Sequence, residues 1–190
     1  MSEYNFKTKP YAHQLEALKN SFNKEYYAFF MEMGTGKSKV LIDEIGGYFL
    51  RGKIDSAIII APKGVYRNWE RGELPTHLSD DVPHTIAAWK APSEMTKDDK
   101  KKLKDIVQPN GKLRIVLMNI EALSGSVGIK YATHFLNRNI SLLAIDESTT
   151  IKTPTASRTK NAIKISKLAK FKRIMTGSPV TKNPLDVYSQ

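Results

Sequence analysis

The chain has 190 residues, 41% hydrophobic and 26% charged, which suits one domain with a sizeable core and is short for two. It has no cysteine, which excludes disulfides and cysteine-ligated zinc, and its four histidines lack ligand spacing. No apolar run is long enough to span a bilayer and no signal-peptide core opens the chain, so no membrane contact and a cytoplasmic location are expected, while a net charge of +11 favours a polyanionic partner.

Helical spacing is expected over residues 13–23, ahead of a short aromatic-rich run at 26–31 that reads as a buried strand. Gly34-Thr35-Gly36-Lys37-Ser38 follows, and residues 38–50 return to helical spacing. Strand, glycine loop, Lys-Ser and helix is the context of a phosphate-binding loop. Two glycines let the backbone curl so that successive N–H groups face phosphate oxygens, and the helix N-terminus adds partial positive charge. Lys37 can reach the β- and γ-phosphates, and Ser38 can ligate Mg2+. The full G-x-x-x-x-G-K-[ST] pattern would place glycine at position 31, where this chain has Met31.

Further apolar runs at 56–61, 85–88, 114–118, 141–146 and 171–175 read as strands. Helical stretches are expected at 66–73, 97–107, 131–138 and 157–169, with loops at 75–92 and 109–112. Residues 97–104 (Lys-Asp-Asp-Lys-Lys-Lys-Leu-Lys) read as a solvated face of mixed charge rather than a binding stripe. Alternating strands and helices with near-continuous apolar strands imply an α/β fold, a mostly parallel central sheet with helices on both faces. Ligands gather at the carboxyl ends of such strands. There, Leu142-Leu143-Ala144-Ile145 delivers Asp146 and Glu147, an acid to hold a metal and a second to orient and deprotonate an attacking water.

Together these segments resemble the first motor domain of superfamily 2 helicases and translocases, in particular the SNF2-like group. Lys9-Pro10-Tyr11-Ala12-His13-Gln14 resembles the Q-motif, which implies that Gln14 reads adenine. Glu32-Met33-Gly34-Thr35-Gly36-Lys37-Ser38 resembles SNF2-type motif I, a form without the first P-loop glycine. Ile60-Ala61-Pro62 with Trp69 downstream resembles motif Ia, and Asp146-Glu147-Ser148-Thr149-Thr150-Ile151-Lys152 resembles motif II. Met175-Thr176-Gly177-Ser178-Pro179-Val180 resembles motif III, and the likeness continues through Leu185-Asp186-Val187-Tyr188-Ser189.

The resemblance implies a RecA-like P-loop domain over residues 1–190, with ATP and Mg2+ as cofactors. Lys37, Asp146 and Glu147 would be catalytic, Gly34, Thr35, Gly36 and Ser38 would complete the nucleotide cradle, and Ser38 with Asp146 would hold the metal. Thr176, Gly177, Ser178 and Pro179 would couple nucleotide state to nucleic-acid grip. Lys63, Gly64 and Asn119 would touch the phosphate backbone of DNA, duplex or single-stranded, without reading sequence. Arg67 and Lys152 are weaker candidates, and Trp69 is expected in the core rather than stacked on a base.

Ser148 and Thr149 stand where many relatives have Ala-His, so a hydrogen bond from either to Thr176 or Ser178 is expected instead. The family's second RecA-like domain, with its arginine fingers, does not follow Gln190. The expectation is therefore an excised piece that is monomeric, binds ATP weakly and hydrolyses it poorly. Two other readings stand beside it: a non-catalytic nucleic-acid-binding module with a relict nucleotide fold, which leaves Glu147 without a use, and a small P-loop kinase, which leaves Thr176-Gly177-Ser178-Pro179 unexplained.

Overall fold

Six apolar runs become six parallel strands: β1 (Tyr26–Phe30), β2 (Ser56–Ala61), β3 (His84–Ala88), β4 (Leu113–Asn119), β5 (Ser141–Asp146) and β6 (Phe171–Thr176). The computed structural model describes residues 4–151, 153 and 155–178. Strand order is β1-β6-β5-β2-β4-β3. The helices are α1 (Ala12–Ser21), α2 (Lys37–Leu50), α3 (Tyr66–Asn68), α4 (Leu74–His77), α5 (Lys97–Asp105), α6 (Ser126–Arg138) and α7 (Ser157–Ser166).

Both faces of the sheet are covered, because alternate residues of each central strand are apolar in both directions. Ala57, Ile59, Ile115, Leu117, Leu142 and Ala144 pack with Val40, Leu41, Ile45, Tyr48, Trp69 and Leu74 from α2 and the 66–77 stretch. Ile58, Ile60, Val116, Met118, Leu143 and Ile145 pack with Leu103, Phe135, Leu136, Ala162 and Ile165 from α5, α6 and α7.

The expected elements all form, with two main differences. The 66–73 helix runs on to His77 through a π turn at Trp69–Glu73, closed by Leu74 N–H on the Trp69 carbonyl, so it enters the segment expected to be loop. Pro75 is tolerated because it lies in the first turn of α4. The helix expected at 131–138 begins at Ser126, after a 3-10 turn at Ile120–Ser124. Glycines at 125 and 128 lower local helical propensity there; Gly128 is required because a Cβ would lie 2.4 Å from the Ala122 carbonyl oxygen.

Strand register brings the polar tips to one edge of the sheet. Phe30 is level with Thr176, Met175 with Asp146, and Ala61 with Asn119. One residue past the Ile60–Ile145 pair, Ala61 and Asp146 end their strands side by side. The loops after β1, β2, β4, β5 and β6 therefore leave along a single rim.

Candidate active site

The glycine loop is held by α1. Gly34 and Gly36 adopt φ of 77° and 83°, in the left-handed region that favours glycine, and Gly36 sits at the N-cap of α2. Gln14, 5% exposed, donates from Nε2 to the Thr35 carbonyl at 3.0 Å and accepts from Tyr11 N–H at 3.0 Å. His13 Nε2 lies 3.0 Å from the same Thr35 carbonyl oxygen. Thr35 Oγ1 donates to the Glu32 carbonyl at 2.7 Å, closing the turn. Lys37 Nζ donates to the carbonyls of Met31 at 2.9 Å and Glu32 at 3.0 Å, so its ammonium is folded over the loop. Ser38 is half-buried in the first turn of α2.

Asp146 and Glu147 leave the tip of β5. Asp146 is 8% exposed; its Oδ2 accepts from the Trp69 indole N–H at 3.1 Å and its Oδ1 from the Glu147 backbone N–H at 3.0 Å. Burial pushes the Asp146 carboxyl above the usual aspartate range; the Trp69 hydrogen bond opposes that, and the Glu147 charge adds to it. Glu147 has φ of 51°, a left-handed conformation uncommon for a non-glycine residue. Its carbonyl accepts from Thr150 N–H, which starts the Ser148–Ile151 turn, and its Oε2 accepts from Thr176 Oγ1 at 3.4 Å. Thr176 Oγ1 in turn accepts from Ser178 N–H at 3.2 Å. The link between the β5 and β6 tips thus runs through Glu147 itself.

Around the rim, Lys63 and Gly64 are exposed in the loop after β2, and Arg67 is exposed one turn on. Asn119 is half-buried and caps the 3-10 turn, its Oδ1 accepting from Ala122 N–H at 2.9 Å; the donor end of the amide takes no part in that cap. Gly177 packs beside Met33. Pro179, Lys152, Val180 and residues 185–189 lie outside the described residues.

The sequence had left three contacts unremarked. Trp69 was expected in the core and is 1% exposed, but its N–H is spent on Asp146. A buried indole needs a hydrogen-bond partner, which was the available signal. The His13 hydrogen bond to the loop and the Arg173–Glu44 pair, which ties β6 to α2, had none.

The SNF2-related domain family model matches residues 14–189. The chain belongs to the SNF2-related family. A Sulfolobus solfataricus SWI2/SNF2 ATPase core in complex with dsDNA has a similar fold, with TM-score 0.69 and 20% identity over 100% of this chain and 36% of its own. The UvsW helicase from Bacteriophage T4 gives 0.64 and 16% over 96% and 57%, and a second S. solfataricus SWI2/SNF2 ATPase core domain 0.60 and 18% over 95% and 35%. No curated protein matches. The SNF2-related chain described here therefore spans between about a third and just over half of those structures, and its six-stranded parallel sheet is the fold they share with it. No helix among the described residues is long and apolar enough to cross a membrane.

Proposed function

We propose that residues 1–190 form the first RecA-like motor domain of an ATP-dependent DNA translocase or helicase, binding Mg-ATP at one rim and the nucleic-acid backbone beside it. The observation that carries this reading is the meeting of three strand tips: the Lys37-Ser38 loop after β1, Asp146 and Glu147 after β5, and Thr176 at the end of β6, its hydroxyl on Glu147.

The triphosphate would lie across the Gly34–Lys37 backbone, with the Lys37 ammonium leaving the Met31 and Glu32 carbonyls for phosphate oxygens. Gln14 can still offer adenine one N–H and one lone pair, since an amide has two of each and only one of each is used. Ser38 and Asp146 would hold Mg2+; one hydroxyl and one carboxylate suit an ion that keeps several waters and takes phosphate oxygens. Bound there, it would neutralise charge building on the phosphates. Glu147 would orient the attacking water and accept its proton, and the Thr176 hydroxyl fixes which carboxylate oxygen is presented.

A DNA partner is supported by the net charge of +11 and by the exposed Lys63-Gly64 loop beside the site. Contacts to phosphate alone make such binding independent of sequence and steeply salt-dependent. Hydrolysis would be slow without an arginine from a second motor domain, a group worth roughly 10³–10⁵ in rate. The test is phosphate release and nucleotide affinity in Glu147→Gln, measured with and without DNA. Turnover should vanish while nucleotide binding persists. Unchanged turnover would sink the assignment and favour a nucleic-acid-binding module with a relict site.

A further inference from the structure

We infer that Trp69 is a positioning residue that fixes Asp146 and connects the Lys63-Gly64 loop to the metal-binding end of the nucleotide site; this rests on the function proposed above. The indole nitrogen donates to Asp146 Oδ2 at 3.1 Å, across 77 residues of sequence and in a buried setting. With Glu147 N–H on Oδ1, both oxygens of Asp146 have a fixed donor, so the carboxylate plane is set by the protein. Such partners orient a metal-binding carboxylate, and their loss typically costs about 10–100-fold in metal affinity.

The connection to the loop is rigid. Val65 and Tyr66 N–H groups both donate to the Pro62 carbonyl, at 2.8 and 3.1 Å, closing the Lys63-Gly64 turn directly onto the helix. Six residues beyond Lys63, Trp69 opens the π turn, whose defining bond runs from Leu74 N–H to the Trp69 carbonyl. Single π turns inside α-helices are frequent at functional sites. Here Trp69 belongs to the buried cluster that also holds Leu41 of α2, Ile59 of β2 and Leu117 of β4, and its N–H meets the Asp146 carboxylate. A shift of the Lys63-Gly64 loop toward a phosphate that tilts the helix after it carries the indole along. The indole's hydrogen bond then passes that motion to the Asp146 carboxylate.

The experiment compares the unaltered protein with Trp69→Phe, which keeps an aromatic ring in the core and removes the donor. The measurements are thermal stability, affinity for a fluorescent ADP with and without Mg2+, duplex DNA affinity, and the factor by which DNA changes Mg-ADP affinity. Trp69→Phe should bind metal-free ADP and DNA alone as the unaltered protein does. It should require about tenfold more Mg2+, and the DNA effect on Mg-ADP binding should fall toward one. Unchanged Mg2+ requirement and coupling would overturn the inference. So would a parallel loss of every affinity together with thermal stability, which is the signature of a packing role. If the unaltered protein binds no Mg-ADP at all, the proposed function fails first and the Trp69 role with it. Mg-ADP binding by the unaltered protein leaves Trp69 as the sole question.

Discussion

The guanidinium of Arg173 and the carboxylate of Glu44 form a fully buried bidentate pair, Nε and Nη2 each donating at 2.7 Å, between the sixth strand and the helix that starts at the glycine loop. The same guanidinium donates to the carbonyls of Ser21, Lys24, Glu25 and Lys172 and to the Tyr48 hydroxyl. It thereby sutures the turn after α1, the strand that carries Thr176, and α2. Removing one partner of such a pair leaves an uncompensated buried charge, so Arg173→Met should lose about 3–5 kcal/mol in urea unfolding. Adding Glu44→Met should recover only part of it, because the carbonyls lose the Arg173 N–H groups, although those of Ser21 and Glu25 keep backbone donors. Full recovery would show that the loss came from the stranded Glu44 carboxylate and that the carbonyl contacts add little.

The two loop glycines should not be equivalent. A Cβ on Gly34 meets nothing within 4 Å, so Gly34→Ala costs only the left-handed conformation, about 1–2 kcal/mol. A Cβ on Gly36 would lie 2.2 Å from Gln14 Nε2, and Gln14 is what holds the Thr35 carbonyl. Gly36→Ala should therefore weaken nucleotide binding well beyond Gly34→Ala. Titration with fluorescent ADP ranks the two, and equal losses would contradict the ordering.

The strands were legible because their apolar runs are continuous, and β2 and β5 begin and end where the pattern placed them. Element ends were less so. The segment at 74–77 contains Pro75, which suggests a loop when taken locally, yet the Leu74 and Leu78 side chains anchored in the core hold it helical. In the candidate site, glycine spacing and the Asp-Glu pair carry their chemistry in their residue types, which is why they could be found. Contacts between distant residues do not: Trp69 with Asp146, or Arg173 with Glu44, exist only once parallel strands are in register.

At the far edge of the sheet, helix α5 has a reciprocal capping box. Thr96 Oγ1 accepts from Asp99 N–H at 3.1 Å, and Asp99 Oδ2 accepts from Thr96 N–H at 2.9 Å. The Lys90 ammonium, 2.7 Å away, and those Thr96 donors hold the Asp99 carboxyl down at about 2. A folded-state value below the unfolded one contributes stability above the ordinary aspartate range, near 4, that is lost as pH falls toward 2. Asp99→Asn should flatten that part of the acid profile of thermal stability and leave the neutral-to-alkaline part unchanged in shape. An acid limb identical to that of the unaltered protein would rule the contribution out.

Thr176 gives the sharpest separation of binding from chemistry. Its hydroxyl donates to Glu147 Oε2 and accepts from Ser178 N–H, so it stands between that acid and the loop after β6. Thr176→Val keeps the shape, with Thr176 only 1% exposed, and removes both bonds. A hydrogen bond to a charged group contributes about 1.5–3 kcal/mol, and the 3.4 Å separation favours the lower end, so kcat should fall roughly tenfold. Affinity for Mg-ADP should not change, because neither bond reaches the phosphate loop. Thr176→Ser retains the hydroxyl and should restore most of the rate. If valine and serine variants hydrolyse ATP equally well, the hydroxyl does not orient Glu147 in the reacting complex. If Mg-ADP affinity instead falls with kcat, Thr176 supports the cradle and its contact with Glu147 is incidental to catalysis.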